Sequence, residues 1–195
     1  MLKTSALGVT TARDPWPLLH TPPPMPEPLT SPAPHEPRLT HALRALLTTQ
    51  RVAALGTLTL EGQPFVSMVP FALDPSAPCL VIHVSALAPH TRNLQMHAAV
   101  SVMVMQAEQA GAPVHALPRV TLQGEATRLT PDSAEWMSAR AAYLDRFPEA
   151  EPMTALGDFS FFAIALLAAH QVAGFGAARR LDAAALADLL RPHHV

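Results

Sequence analysis

Leu39, Ala42, Leu43, Leu46 and Leu47 recur at steps of three and four, which predicts an amphipathic helix over 38–50. The rhythm then changes. Residues 52–60 are small or branched and apolar, Glu61-Gly62-Gln63 is a turn signal, and 64–73 resumes a strand pattern, so the two runs read as a hairpin. Asp74-Pro75-Ser76-Ala77-Pro78 marks a second turn before a third strand over 79–84. A short helix over 88–96 follows, and 99–105 reads as a fourth strand buried on both faces, with Met103 and Met105 as core filler.

Gly111 and Pro113 make 108–118 a loop, and 119–129 alternates as a long fifth strand. Thr130-Pro131-Asp132 supplies a hydroxyl cap, a first-turn proline and an acid, which predicts a helix running to Arg146. The run 159–172 is ambiguous by period. Its aromatic start and the Gly174-Phe175-Gly176 end favour one long strand or two with a bend. A last helix is expected over 181–190, with Asp182 as its cap. About six mostly antiparallel strands with short helices between them predict a mainly β protein with flanking helices, of the α+β class, closed as a small barrel.

Composition changes this picture at one end. Ten of the 21 prolines lie between Pro15 and Pro37, so 1–37 is expected to be a Pro-rich, extended arm and 38–195 the folded domain. Trp16 and Leu18-Leu19 are its apolar anchors. A formal net charge of −2, without a block of like charge, argues against nucleic-acid binding. No apolar run approaches the ~20 residues needed to span a bilayer, and the first residues lack a cationic region with an apolar core. Neither a membrane span nor a secretion signal is expected. The single cysteine, Cys79, fits a reducing cytoplasm and reads as packing. The single lysine, Lys3, lies in the arm, so any anion held by the domain must meet arginine, hydroxyls or backbone amides.

The densest chemistry follows the third strand, in Ser85-Ala86-Leu87-Ala88-Pro89-His90-Thr91-Arg92-Asn93-Leu94. A strand running into a helix start with hydroxyls, an amide and a guanidinium outlines a phosphate pocket. The plain alternative is an ordinary loop with a solvated Arg92. Ser67 stands mid-strand among apolar neighbours, where an unpaired hydroxyl costs on the order of 1 to 3 kcal/mol. It calls for a partner, either a backbone acceptor or a ligand. No carboxylate pair has spacing that suggests general acid or base work, and no catalytic residue is assigned.

Five segments in order carry a resemblance: Arg51-Val52-Ala53-Ala54-Leu55-Gly56-Thr57, Gly62-Gln63-Pro64-Phe65-Val66-Ser67, the 85–94 stretch, Pro118-Arg119-Val120-Thr121-Leu122-Gln123-Gly124, and Gly174-Phe175-Gly176-Ala177-Ala178. Together they resemble the FMN-binding split-barrel family related to pyridoxamine 5'-phosphate oxidase, and within it the haem iron utilisation branch. The resemblance covers about 38–190. It implies a six-stranded antiparallel split β-barrel that forms a homodimer with flavin at the subunit interface. By position, Ser67 with the backbone of Met68 and Val69 would face the flavin ring. Ser85, Thr91, Arg92 and Asn93 would surround the FMN phosphate, with Arg51 and Arg119 as further candidates for the phosphate or ribityl chain. The additional basic residues that hold pyridoxamine phosphate find no counterpart here, so vitamin B6 oxidation is not expected.

Ten histidines leave a second cofactor open, since imidazole is a common haem-iron ligand. The resemblance to haem-binding relatives points to His170 and the tail pair His193-His194. Three functions follow. One is an FMN-dependent oxidoreductase of unknown substrate, in which the flavin carries the chemistry. Another is a haem-binding or haem-degrading protein on the same scaffold, and the third is a ligand-binding dimer without turnover.

Overall fold

The computed structural model describes residues 36–191. The arm with its anchors and the His193-His194 pair lie outside the described residues. The first periodic stretch forms α1 (Glu36–Thr49), with Leu43, Leu46 and Leu47 buried. The hairpin is β1 (Val52–Leu58) and β2 (Pro64–Pro70), turned at Gly62 with φ of 75°. Next come β3 (Ala72–Leu73), β4 (Cys79–Ser85), α2 (Pro89–Met96), β5 (Ala99–Met105) and β6 (Arg119–Arg128). The chain ends with α3 (Ala134–Arg146), α4 (Glu151–Thr154), β7 (Phe159–Val172), β8 (Ala178–Asp182) and α5 (Ala183–Leu190).

The strands pair antiparallel in the order β2-β1-β5-β6-β7-β4-β3, with β8 also on β7. β2 packs back on β4 with no ladder between them, so the sheet curls into a barrel split at that seam. The α+β split-barrel class stands. Among the described residues the strands number eight rather than six. Phe71 separates β3 from β2, where Pro70 has no N–H to extend the ladder. β8 exists because Gly174 and Gly176 take φ of 130° and 69°, which turns the chain back so that Ala173 N–H donates to Ala177 O at 2.8 Å.

The barrel interior is filled by Leu55, Val69, Leu80, Ile82, Val102, Val120, Leu122 and Ile164, and α1 and α5 add Leu43, Leu47 and Leu186. A second core joins Val81 and Phe161 to Ala139, Tyr143 and Phe147 under α3. β4 is therefore buried on both sides. β5 is not, contrary to the reading of its apolar run. Val100, Val102 and Val104 point inward, while Met103 and Met105 are 37% and 44% exposed and fill no core in this chain. The run was apolar because the outer face is apolar, and no described element covers it.

Two helix starts also differ from the reading. Asp132 has φ of 64°, which leaves the helical path, so Ser133 rather than Thr130 caps α3 by accepting from Trp136 N–H at 3.2 Å. Leu181 belongs to β8, and α5 begins after Asp182, whose carboxylate does accept from Ala185 N–H at 2.9 Å.

The central irregularity is in β7. Gly124 pairs with Leu166 while Gln123 pairs with Ala168, so Leu167 is an extra residue bulged from the ladder. Before the bulge Phe162, Ile164 and Leu166 point into the barrel; after it Ala169 and Gln171 do. Gly124 allows this, because a Cβ there would meet Ala165 O at 2.4 Å and Ile164 Cγ2 at 3.0 Å. Gly124→Ala is expected to destabilise the fold by roughly 1 to 3 kcal/mol. Its urea midpoint should fall well below that of wild type, whereas Gly157→Ala, with nothing within 4 Å, should unfold near the wild-type midpoint.

Candidate functional site

The exit of β4 into α2 is a tightly bonded corner. Thr91 Oγ1 donates to Ser85 O at 2.6 Å, and Ser85 Oγ accepts from Leu87 N–H and donates to Asp158 Oδ2, each at 3.2 Å. Ala86 N–H donates to Asp158 O at 2.6 Å. Asn93 Nδ2 donates to Thr57 Oγ1 at 2.9 Å, and both residues are buried, which pins α2 to β1. The structure thus brings Ser85, Thr91, Arg92 and Asn93 together, yet three of them are engaged in holding the corner. Arg92 is exposed and lines a cavity of about 600 Å³ together with Glu61, Leu87 and Gln95. The Glu61 carboxyl is held below the usual range by a backbone N–H, the Thr59 hydroxyl and the Arg92 charge.

The remaining residues implied by the resemblance are dispersed. Ser67 lies opposite Leu55 on the barrel side of β2, its Oγ buried without a partner. The hydroxyl partner that the sequence calls for is not supplied by the described residues. Met68 points outward and is 65% exposed, while Val69 is buried. Arg51 stands beyond the far end of β1 from Thr57, roughly 20 Å away at strand rise. There it pairs with Glu149 at 2.6 Å and covers the Phe147 ring at 4.7 Å. Cys79 is buried and its thiol is pushed up to about 11, chiefly by burial and then by Asp74, so it is inert packing as expected.

Arg119 and His170 stand on adjacent strands of the outer sheet face. Cross-strand register places Met68, Ala54, Met103, Thr121, His170 and Arg180 in one row, and Val52, Met105, Arg119 and Val172 line the neighbouring positions. His170 is exposed, with Arg180 directly across β8 and Arg119 one step away on β6. Arg119 is half-buried and its Nη1 donates to Leu117 O at 3.0 Å. The sequence reading missed Arg180. The signal was the pair of glycines at 174 and 176, which makes 178–182 a returning strand.

His83 was also missed, hidden inside the apolar run of β4. Its ring is 5.0 Å from Phe159 and 4.2 Å from Phe161 by centroid, and Nδ1 is buried without a partner. Burial lowers its pKa to about 4, so the ring is neutral near pH 7.

A model of the family described as pyridoxamine 5'-phosphate oxidase matches residues 39–173, more than half of the chain. The chain belongs to this family. Among members of the pyridoxamine 5'-phosphate oxidase family and its fold, a curated relative is "Heme oxygenase HutZ" of Vibrio cholerae, 28% identical over 154 residues, which are 78% of this chain and 86% of HutZ. A solved structure of HutZ, described as the heme storage protein, superposes with a TM-score of 0.59 at 27% identity, covering 66% of this chain and 87% of that one. A heme binding protein from Mycobacterium smegmatis superposes with a TM-score of 0.69 at 32% identity over 77% of this chain. This chain spans only 60% of that protein's length. No helix among the described residues is long and apolar enough to cross a membrane.

Two predictions follow from the corner and from His83. Asn93→Ala removes the donor from which the buried Thr57 hydroxyl accepts, leaving that hydroxyl only its own bond to Phe65 O at 3.3 Å, and should cost about 1 kcal/mol by denaturant titration, with Thr57→Val in the same chain restoring part of it. The His83 pKa is depressed on folding, so the unfolded chain binds more protons between the ordinary value of 6.5 and about 4. Stability should therefore fall as pH drops through that window, by about 3 kcal/mol in all. In His83→Phe, denaturation midpoints measured from pH 7 to pH 4 should lose that part of the slope.

Proposed function

We propose that this protein binds haem on the outer face of its sheet, with His170 as the residue that would hold the iron, and that a second copy of the chain covers the same face to form a homodimer. The observation that carries the reading is the row itself. His170 pairs with Arg180 across β8 and stands one step from Arg119 on β6, in a row that continues to Met103, with Met105 and Val172 at neighbouring positions. These residues fit the group: a nitrogen for iron, two cations for two propionates, and polarizable apolar side chains against the porphyrin. Bound haem supplies iron-centred redox and ligand chemistry. The chain's own residues orient the macrocycle and, in the dimer, exclude water from it.

The relatives named above share haem and divide between oxygenase and storage, which supports binding ahead of any particular turnover. Covering the face also accounts for its composition. Val66 and Met68 are 68% and 65% exposed in the single chain, a contiguous apolar patch with Val52, Met103 and Met105 that a partner would bury.

The flavin reading rests on a different observation, the Arg92 guanidinium on its 600 Å³ cavity. It is weaker because the hydroxyls and amide expected to share the phosphate are already bonded within the corner. An FMN-dependent oxidoreductase would need this chain to hold the phosphate dianion with one side-chain cation.

Titration of the purified protein with haemin should produce a Soret shift that saturates. His170→Ala should remove it, and Arg180→Ala should weaken it roughly 10- to 100-fold. A His170→Ala spectrum identical to wild type would exclude that ligand. A parallel titration with FMN, read by flavin absorbance and repeated in Arg92→Ala, decides the second reading. Light scattering should give a dimer for wild type and a monomer for Met68→Lys with Met103→Lys.

A further inference from the structure

A second, smaller cavity of about 230 Å³ opens where β4, the end of β6, α3 and the start of β7 meet. It is distinct from the Arg92 cavity, since the 157–159 segment runs between them and is tied to Ala86 through Asp158 O. Trp136, Phe159 and Phe161 form its walls, with Trp136 edge-on to Phe161 at 5.7 Å between centroids. His83 lines it and is 93% buried, at 7% exposure. Arg128 lines it from the end of β6, exposed and without a hydrogen-bond or ion-pair partner among the described residues.

Polar groups so placed define what fits. Nδ1 of His83 is enclosed without a partner, and an unpaired acceptor is tolerated better there than an unpaired N–H. The ring proton therefore belongs on Nε2, which becomes a donor toward the cavity that His83 lines. Donor and guanidinium together call for an anionic acceptor, and three aromatic walls call for a flat apolar body. The volume is below the ~300 to 1,000 Å³ of sites for drug-sized ligands, which admits one or two fused rings and excludes a haem or a flavin nucleotide.

We propose that this cavity is a binding site for a small planar aromatic carboxylate, its ring against Trp136, Phe159 and Phe161 and its carboxylate between Arg128 and the His83 imidazole N–H. A free inorganic anion would leave the aromatic walls without a function, and a neutral arene would leave both donors unpaired. The site is independent of the haem face, which lies at the other end of β7, so it stands or falls separately from that reading.

The test uses fluorine NMR on the full-length protein, with 4-fluorobenzoate, 4-fluorobenzyl alcohol and fluoroacetate as probes. Saturable broadening and shift are expected for 4-fluorobenzoate, with the alcohol and fluoroacetate each weaker by roughly tenfold or more. Arg128→Ala should weaken 4-fluorobenzoate by a similar factor, and because Arg128 is exposed this variant should fold. Trp136→Leu should weaken the aromatic probe and leave fluoroacetate unaffected. Absence of saturation at millimolar 4-fluorobenzoate, equal affinity for fluoroacetate, or unchanged affinity in Arg128→Ala would each overturn the proposal.

Discussion

The bulge at Leu167 sets which face of the last long strand meets solvent, and the arrangement of the outer sheet depends on it. Side chains on a strand alternate strictly, so one extra residue exchanges inside for outside. Without the bulge, His170 would share the inward parity of Phe162, Ile164 and Leu166; with it, His170 faces out beside Arg180 and Arg119, and Ala169 fills the core. The glycine at 124 makes the bulge sterically permissible by letting β7 backbone approach where any Cβ would collide. A core packing constraint on one strand thus places an imidazole on the surface of its neighbour's row.

Polar groups elsewhere are divided between holding the fold and remaining available. At the β4 exit, Ser85, Thr91 and Asn93 bond inward, because a strand that turns sharply into a helix leaves backbone groups which must be satisfied. Arg146 has a similar structural part. Its guanidinium reaches from α3 to the carbonyls of Leu47 and Gln50 at the end of α1 and lies over the Phe71 ring, so a cation meets the negative end of a helix. Arg51 is held at that same corner by Glu149 and Phe147. Among the described residues, groups that remain available include Arg92 on its cavity, Arg128 beside the aromatic pocket, and His170 and Arg180 on the outer face.

Exposed methionine and valine on that face have the opposite origin from exposed charge. Their burial elsewhere in the chain is prevented by strand parity, since inward positions on β1 and β5 are already filled by Ala53, Leu55, Val102 and Val104. Exposed apolar patches of this kind mark interaction surfaces in other proteins. The chemistry at its edge, a histidine with Arg180 and Arg119 on the adjacent strands, sits where a cover would also exclude water.

The sequence by itself determined a first helix, read over 38–50 and found over 36–49, the hairpin around Gly62, the Asp182 cap and the α+β barrel class, because each rests on local period, turn residues or capping; for 159–172 it left one long strand or two with a bend, and the structure forms one. It also determined that Arg92 is a solvated or ligand-facing cation after the third strand. Tertiary structure alone decided the rest. The face of β5, the existence of β8, the joining of His170 with Arg119 and Arg180, and the enclosure of His83 by Phe159 and Phe161 all depend on register between strands remote in sequence. Alternation along one strand says that two faces differ. Which face is covered is settled by its neighbours, and by a single bulged residue that no local pattern marks.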